Sequence, residues 1–115
     1  MLNSKTRAIE RRNYSATMSI PLSPEIARRL ADLFEALADP TRVRIISMLV
    51  AEEQSVGELA SSLEMSISAI SHQLNLLRHL HIVATRRDGR RIIYRLDDEH
   101  VSLIYQRGVD HILHQ

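Results

Sequence analysis

Apolar residues recur at helical spacing soon after residue 20: Ile26, Leu30, Leu33, Phe34 and Leu37 fall on one face. Ahead of them, Ser23-Pro24-Glu25 supplies a cap, a proline at the first helical position and an acid in the first turn. Asp39-Pro40 repeats that punctuation and opens a second helix with Val43, Ile46, Leu49 and Val50 as its apolar face. Ser55-Val56-Gly57-Glu58 reads as a capping box for a short third helix ending at Leu63. Glu64-Met65-Ser66 is the turn before a fourth helix from Ile67 to Leu80, whose core stripe is Ile70, Leu74 and Leu77, extended by Leu80. The period then changes. Ile82–Arg86 and Arg91–Arg95 are β-prone runs, and the Asp88-Gly89 pair between them is a hairpin signal. A last helix follows, capped by Asp97 or Asp98, with Val101, Ile104, Tyr105, Val109, Ile112 and Leu113 facing the core or a partner.

This order predicts a mainly α fold with a β-hairpin wing, a winged helix-turn-helix. Residues 1–22 read as a flexible basic arm and residues 23–115 as the DNA-binding and dimerisation domain. With 115 residues, one Phe, three Tyr and no Trp, the core is aliphatic and modest, and a homodimer interface would add to it.

Charge distribution sharpens the picture. Net charge is only +1, but residues 67–95 carry six Arg against the single acid Asp88, while residues 24–66 carry eight acids and four bases. A basic stripe in an otherwise acidic chain fits a local polyanion contact. With no cysteine, disulfides and thiolate metal sites are excluded. The charged N-terminus lacks the apolar core of a secretory signal, and no run reaches membrane-span length, so a cytoplasmic protein without a membrane partner is expected.

On the fourth helix the stripe opposite the core is polar: Ser68, Ser71, His72, Asn75 and His79. Small hydroxyls and an imidazole in the first turns suit hydrogen bonding to base edges in a major groove. The same stripe also fits an ordinary solvated face; the arginine-rich hairpin directly after it favours DNA. Arg86, Arg87, Arg90 and Arg91 are candidate contacts to double-stranded DNA, some of them to phosphate rather than to bases.

The final helix carries Asp98, His100, His111 and His114. His100 and His111 are separated by about three turns, roughly 16 Å along the axis, whereas metal–ligand bonds are about 2 Å long. One chain therefore cannot close all four on one ion, but a second, antiparallel copy of the helix can. Asp97 competes with Asp98 as ligand or cap, and a His pair spaced like His111 and His114 is also common on solvated helices. His79 and His81 read as structural or DNA-proximal.

The runs Ala36-Leu37-Ala38-Asp39-Pro40-Thr41-Arg42 and Ser68-Ala69-Ile70-Ser71-His72-Gln73-Leu74-Asn75-Leu76-Leu77-Arg78, with Gly89-Arg90-Arg91-Ile92-Ile93-Tyr94 as the wing, resemble the ArsR/SmtB repressors over residues 24–114. The resemblance implies a homodimeric repressor that leaves its operator when an inducer, usually a metal ion, binds. It also implies DNA contacts from Ser68, Ser71 and His72, joined by Val56 at the start of the third helix. The family's cysteine site on that helix is absent here. Its final-helix pattern is complete as Asp98, His100, His111 and His114, most like the zinc- and cobalt-sensing subgroup. Three imidazoles and a carboxylate suit four-coordinate Zn(II) as inducer, with Co(II) or Ni(II) as alternatives. The absence of histidine from residues 1–20 and the stop at Gln115 disfavour Ni(II). The alternative function is a repressor of the same family answering Ni(II) or a non-metal signal. An enzyme is not expected: the four-ligand site has no open position, and neither a His-Glu-x-x-His motif nor a Gly-rich phosphate loop is present.

Overall fold

Each helix starts where the sequence punctuates it. A computed structural model describes residues 21–114; nearly all of the expected basic arm, 1–22, and Gln115 lie outside the described residues. The elements are α1 (Pro24–Leu37), α2 (Pro40–Ala51), β1 (Gln54–Ser55), α3 (Val56–Leu63), α4 (Ile67–His79), β2 (Val83–Asp88), β3 (Arg91–Leu96) and α5 (Glu99–Leu113). Among the described residues, those up to Asp32 and those from Leu33 onward are separate units. All the candidate site residues lie in the second.

Ser23 Oγ accepts from the Ile26 amide at 3.2 Å, and Asp39 Oδ2 from the Arg42 amide at 3.0 Å. Ser55 and Glu58 close the expected capping box: Ser55 Oγ takes the Glu58 N–H at 3.2 Å, and Glu58 Oε1 takes the Ser55 N–H at 3.1 Å. Ser66 Oγ caps α4 through the Ala69 amide at 3.0 Å. These contacts satisfy donors that a helix start leaves unpaired.

The core is aliphatic, as composition requires. Ile70, Leu74 and Leu77 of α4 are fully buried with Ile45 and Ile46 of α2 and Leu59 of α3. Burying each such side chain contributes about 1.5–3 kcal/mol, so the core seam of α4 fixes which face is left outward. Two expectations change here. Leu80 does not extend the stripe; it is the C-cap of α4 and stays exposed. On α2 Ile46 and Leu49 are buried as expected and Ile45 is buried with them, while Val43 is exposed and lines an apolar groove against α5.

The wing is a three-stranded antiparallel sheet in the order β1-β3-β2, rather than a two-stranded hairpin. β1 pairs Gln54 with Tyr94 and Ser55 with Ile93. Gln54 is buried, and its Nε2 donates to the Met48 carbonyl at 3.3 Å, which anchors the short strand. The β2–β3 ladder runs from Val83–Leu96 to Asp88–Arg91. Only Gly89 and Arg90 form the turn. Gly89 has φ +65°, and Arg90 is not among the positive-φ residues. Glycine therefore takes the first central position, as in a type II′ turn, and Asp88 is the last strand residue.

Candidate nucleic-acid and metal interface

Helix α3, the turn at 64–66 and α4 form the helix-turn-helix. Glu64 makes the turn in the left-handed region (φ 55°), with the Met65 amide returning to the Ala60 carbonyl at 3.0 Å. Because Ile70, Leu74 and Leu77 are locked inward, Ser68, His72 and Asn75 are exposed along the outer face of α4, and Ser71 is half-buried beside them. Val56, half-buried at the first position of α3, shares a shallow cleft with Ser71 and Arg91. Three candidate contacts from three different elements thus meet on one surface. The imidazole of His79 is turned back on its own helix: Nδ1 donates to the Asn75 carbonyl at 3.0 Å.

The candidate arginines of the wing divide into two groups. Arg86 donates from Nε and Nη2 to Glu53 Oε2 at 3.2 and 3.0 Å, and Arg91 is paired with Glu58. Arg87 and Arg90 form no ion pair among the described residues. Glu58 is held below the usual carboxylate range, first by the Ser55 backbone N–H, then by the Ser55 side chain, with Arg91 adding to it.

One contact follows from no local pattern in the sequence. Arg42 on α2 donates from Nε to Gln73 Oε1 on α4 at 3.0 Å and from Nη1 to the Ala36 carbonyl at 3.3 Å. Both residues sit inside the runs that carry the family resemblance, which was the available signal.

On α5, the four metal-competent residues remain in two pairs. Asp98 is the N-cap: its Oδ1 accepts from the amides of His100 at 2.8 Å and Val101 at 3.4 Å, and lies 3.4 Å from His100 Nδ1. At the other end, His111 and His114 are exposed, and His114 Nδ1 donates to the Asp110 carbonyl at 2.8 Å. That bond selects the tautomer whose Nε2 is the open lone pair, the form in which an imidazole can ligate a metal. Among the described residues no three His, Cys, Asp or Glu side chains converge on one point. An apolar stripe along α5 is largely uncovered. Leu103, Ile104, Ile112 and Leu113 are exposed, and a groove of about 250 Å³ runs past Ile104, Tyr105, Val109 and Ile112 to Val43.

A family model described as "Bacterial regulatory protein, arsR family" matches residues 39–85, from the cap of α2 into β2. The transcriptional repressor SmtB homolog of Synechocystis sp. is 43% identical over 91 residues, 79% of this chain and 69% of that protein. The chain is a member of the ArsR family. The regulator NmtR of Mycobacterium tuberculosis is 38% identical over 96 residues, 84% of this chain and 80% of that one. The solution structure of apo-NmtR superposes with TM-score 0.73 at 38% identity, covering 84% of this chain and 81% of the other. A winged helix-turn-helix DNA-binding domain from Mycobacterium bovis, described as homodimeric, gives TM-score 0.72 at 28% identity over 82% of this chain and 94% of that one. This ArsR-family chain is therefore a winged-helix, DNA-binding transcriptional regulator rather than an enzyme. No helix among its described residues is long and apolar enough to cross a membrane.

Proposed function

We propose that this ArsR-family regulator represses transcription as a metal-free homodimer on operator DNA and is released by Zn(II), or Co(II), bound between the two α5 helices. The observation that carries the reading is the division of four ligands into pairs at opposite ends of one helix, with an uncovered apolar face between them. A second copy of the chain is the occupant that fits that face. Set antiparallel, it covers the groove, and each end of the helix pair combines Asp98 and His100 of one protomer with the partner's His111 and the partner's His114. The donor set suits a closed four-coordinate nitrogen/oxygen site, and the His114–Asp110 bond supports it by occupying Nδ1 and leaving Nε2 free to ligate.

The candidate DNA contacts of this reading are Ser68, Ser71, His72 and Asn75 on α4, Val56 at the start of α3, and Arg86, Arg87, Arg90 and Arg91 on the wing. The reading helices of the dimer enter successive major grooves. Metal binding fixes the relative orientation of the protomers and lowers the population that fits the operator. Metal and DNA then weaken each other by the same factor.

The test is a Zn(II) titration of chelator-treated protein on a fluorescent promoter fragment, followed by anisotropy at fixed salt, with a His111→Ala/His114→Ala variant in parallel. Release at about one Zn(II) per protomer, lost in the variant, supports the reading. DNA binding that ignores Zn(II) and Co(II) discards the inducer and leaves a family member answering Ni(II) or a non-metal signal.

A further inference from the structure

The ladder register sorts the wing's arginines by face. Residues opposite one another in an antiparallel pair share a face, and alternate residues along a strand return to it. Arg86 opposes Ile93, and Asp88 opposes Arg91, so Arg86 and Arg91 lie on one face. Arg87, opposite Ile92, lies on the other, and Arg90 sits in the turn. Strand β1 pairs with β3 on the side away from β2. It is flanked by Glu53 just before it and by Glu58 in the first turn of α3, and these are the two acids that meet Arg86 and Arg91.

Both pairs are about half exposed. Ion pairs of that kind add little to stability, so fold stability does not account for them. Their geometry is nonetheless fixed. Arg86 places two donors on one carboxylate oxygen. Glu58 is pinned from behind, because the Oε1 that meets Arg91 also accepts the Ser55 amide of the capping box. An arginine kept on a fixed carboxylate neutralises no phosphate and so frees none of the cations condensed on the DNA, and it adds little to salt-dependent DNA affinity.

We infer that Glu53 and Glu58 are internal counter-ions that withhold Arg86 and Arg91 from phosphate, leaving the wing to meet DNA through Arg87 and Arg90. This rests on the DNA-binding reading of the wing given above. Two of its four candidate arginines then orient the wing against the body instead of adding indiscriminate affinity. The consequence is specificity: non-specific binding is almost wholly electrostatic, so removing phosphate contacts lowers it more than operator binding.

The experiment measures the salt dependence of binding to a short fluorescent duplex of mixed sequence, for the full chain and for Glu53→Gln/Glu58→Gln. Glutamine at the third helical position still closes a capping box, so α3 keeps its start while the charge is removed. Glu53→Gln alone, outside any helix, provides a second variant. The expected result is a slope of log affinity against log salt steeper by about 0.9 for each arginine released. Between about 50 and 200 mM salt that is an extra three- to fourfold loss of affinity per arginine. Arg87→Ala/Arg90→Ala should flatten the slope by the same measure per residue. An unchanged slope in both glutamine variants, with the parent chain binding in a salt-dependent way, overturns the inference, because phosphate then already displaces the carboxylates. Absence of salt-dependent binding by the parent chain would instead overturn the DNA-binding reading itself.

Discussion

Arg42 Nε donates to Gln73 Oε1 at 3.0 Å, joining α2 to the outward-reading helix α4 across 31 residues of sequence. The same guanidinium reaches the Ala36 carbonyl in the last turn of α1, so one side chain bonds to two acceptors outside its own helix. Arg42→Ala should lower stability by about 1–2 kcal/mol, since a half-buried charge-assisted bond is lost and the Gln73 amide loses its partner. Arg42→Lys should recover only part of this, because a point ammonium cannot span two acceptors as a planar fork does. Urea unfolding reads both as a shifted midpoint at constant slope.

That contact also marks the boundary of what the sequence makes legible. Helix starts are readable because each has a local chemical cause: Ser23, Asp39 and Ser55 cap as their types predict, and Ser66, which the sequence marks only as part of the turn, caps α4 as well. The seam Ile70–Leu74–Leu77 followed from period alone. Strand β1 did not, since two residues have no period and Ser55 already serves as a cap. The pairing of Arg42 with Gln73, and of Arg86 with Glu53, joins residues more than thirty positions apart, and no local rule reaches that far. The candidate metal ligands were legible as a spacing, yet within one chain they remain two separate pairs.

His81 follows α4 with φ 58°, a left-handed conformation that glycine adopts without steric cost. Around it the Ile82 amide returns to the Leu77 carbonyl at 2.9 Å and the His81 amide to the Arg78 carbonyl at 3.0 Å, so the helix end enforces that conformation. His81→Gly should therefore raise stability, by up to about 1 kcal/mol after the entropy lost with glycine is counted. Gly89→Ala should do the reverse by a similar amount. Its φ is +65° and no atom lies within 4 Å of an added Cβ, so the cost there is conformational and not steric. Thermal melts of the two variants should move in opposite directions.

The Glu58 carboxyl is held below its ordinary value of 4.5 by the Ser55 backbone and side chain and by Arg91. A carboxylate with a depressed folded value contributes stability that is fully present above its unfolded value and is lost as pH falls through the folded one. The contribution should thus be constant from neutrality down to about pH 5 and disappear only below 4.5. Glu58→Gln keeps the cap but has no charge to lose. The difference in melting temperature between it and the parent chain should stay flat at higher pH and change only in that acid window. A difference that instead changed between pH 6 and 8 would show that another group governs the contact.

Asp98 holds two assignments at once, helix cap and candidate ligand, and one substitution separates them. Its Oδ1 accepts from the amides of His100 and Val101, a role asparagine fills as well as aspartate. Asp98→Asn should accordingly leave the stability of metal-free protein within a few tenths of a kcal/mol, whereas Asp98→Ala should cost about 1 kcal/mol. For Zn(II) the order is different. An amide oxygen is a neutral and weaker donor than a carboxylate, so Asp98→Asn should lower affinity about as much as Asp98→Ala does. Asp97→Asn should leave it unchanged, since the carboxylate that stands beside His100 is that of Asp98. Competition against a chromophoric chelator, with a urea melt of each metal-free variant, gives both numbers. Should Asp97→Asn weaken Zn(II) binding while Asp98→Asn does not, the ligand is Asp97, Asp98 is the cap alone, and the metal site begins one residue earlier.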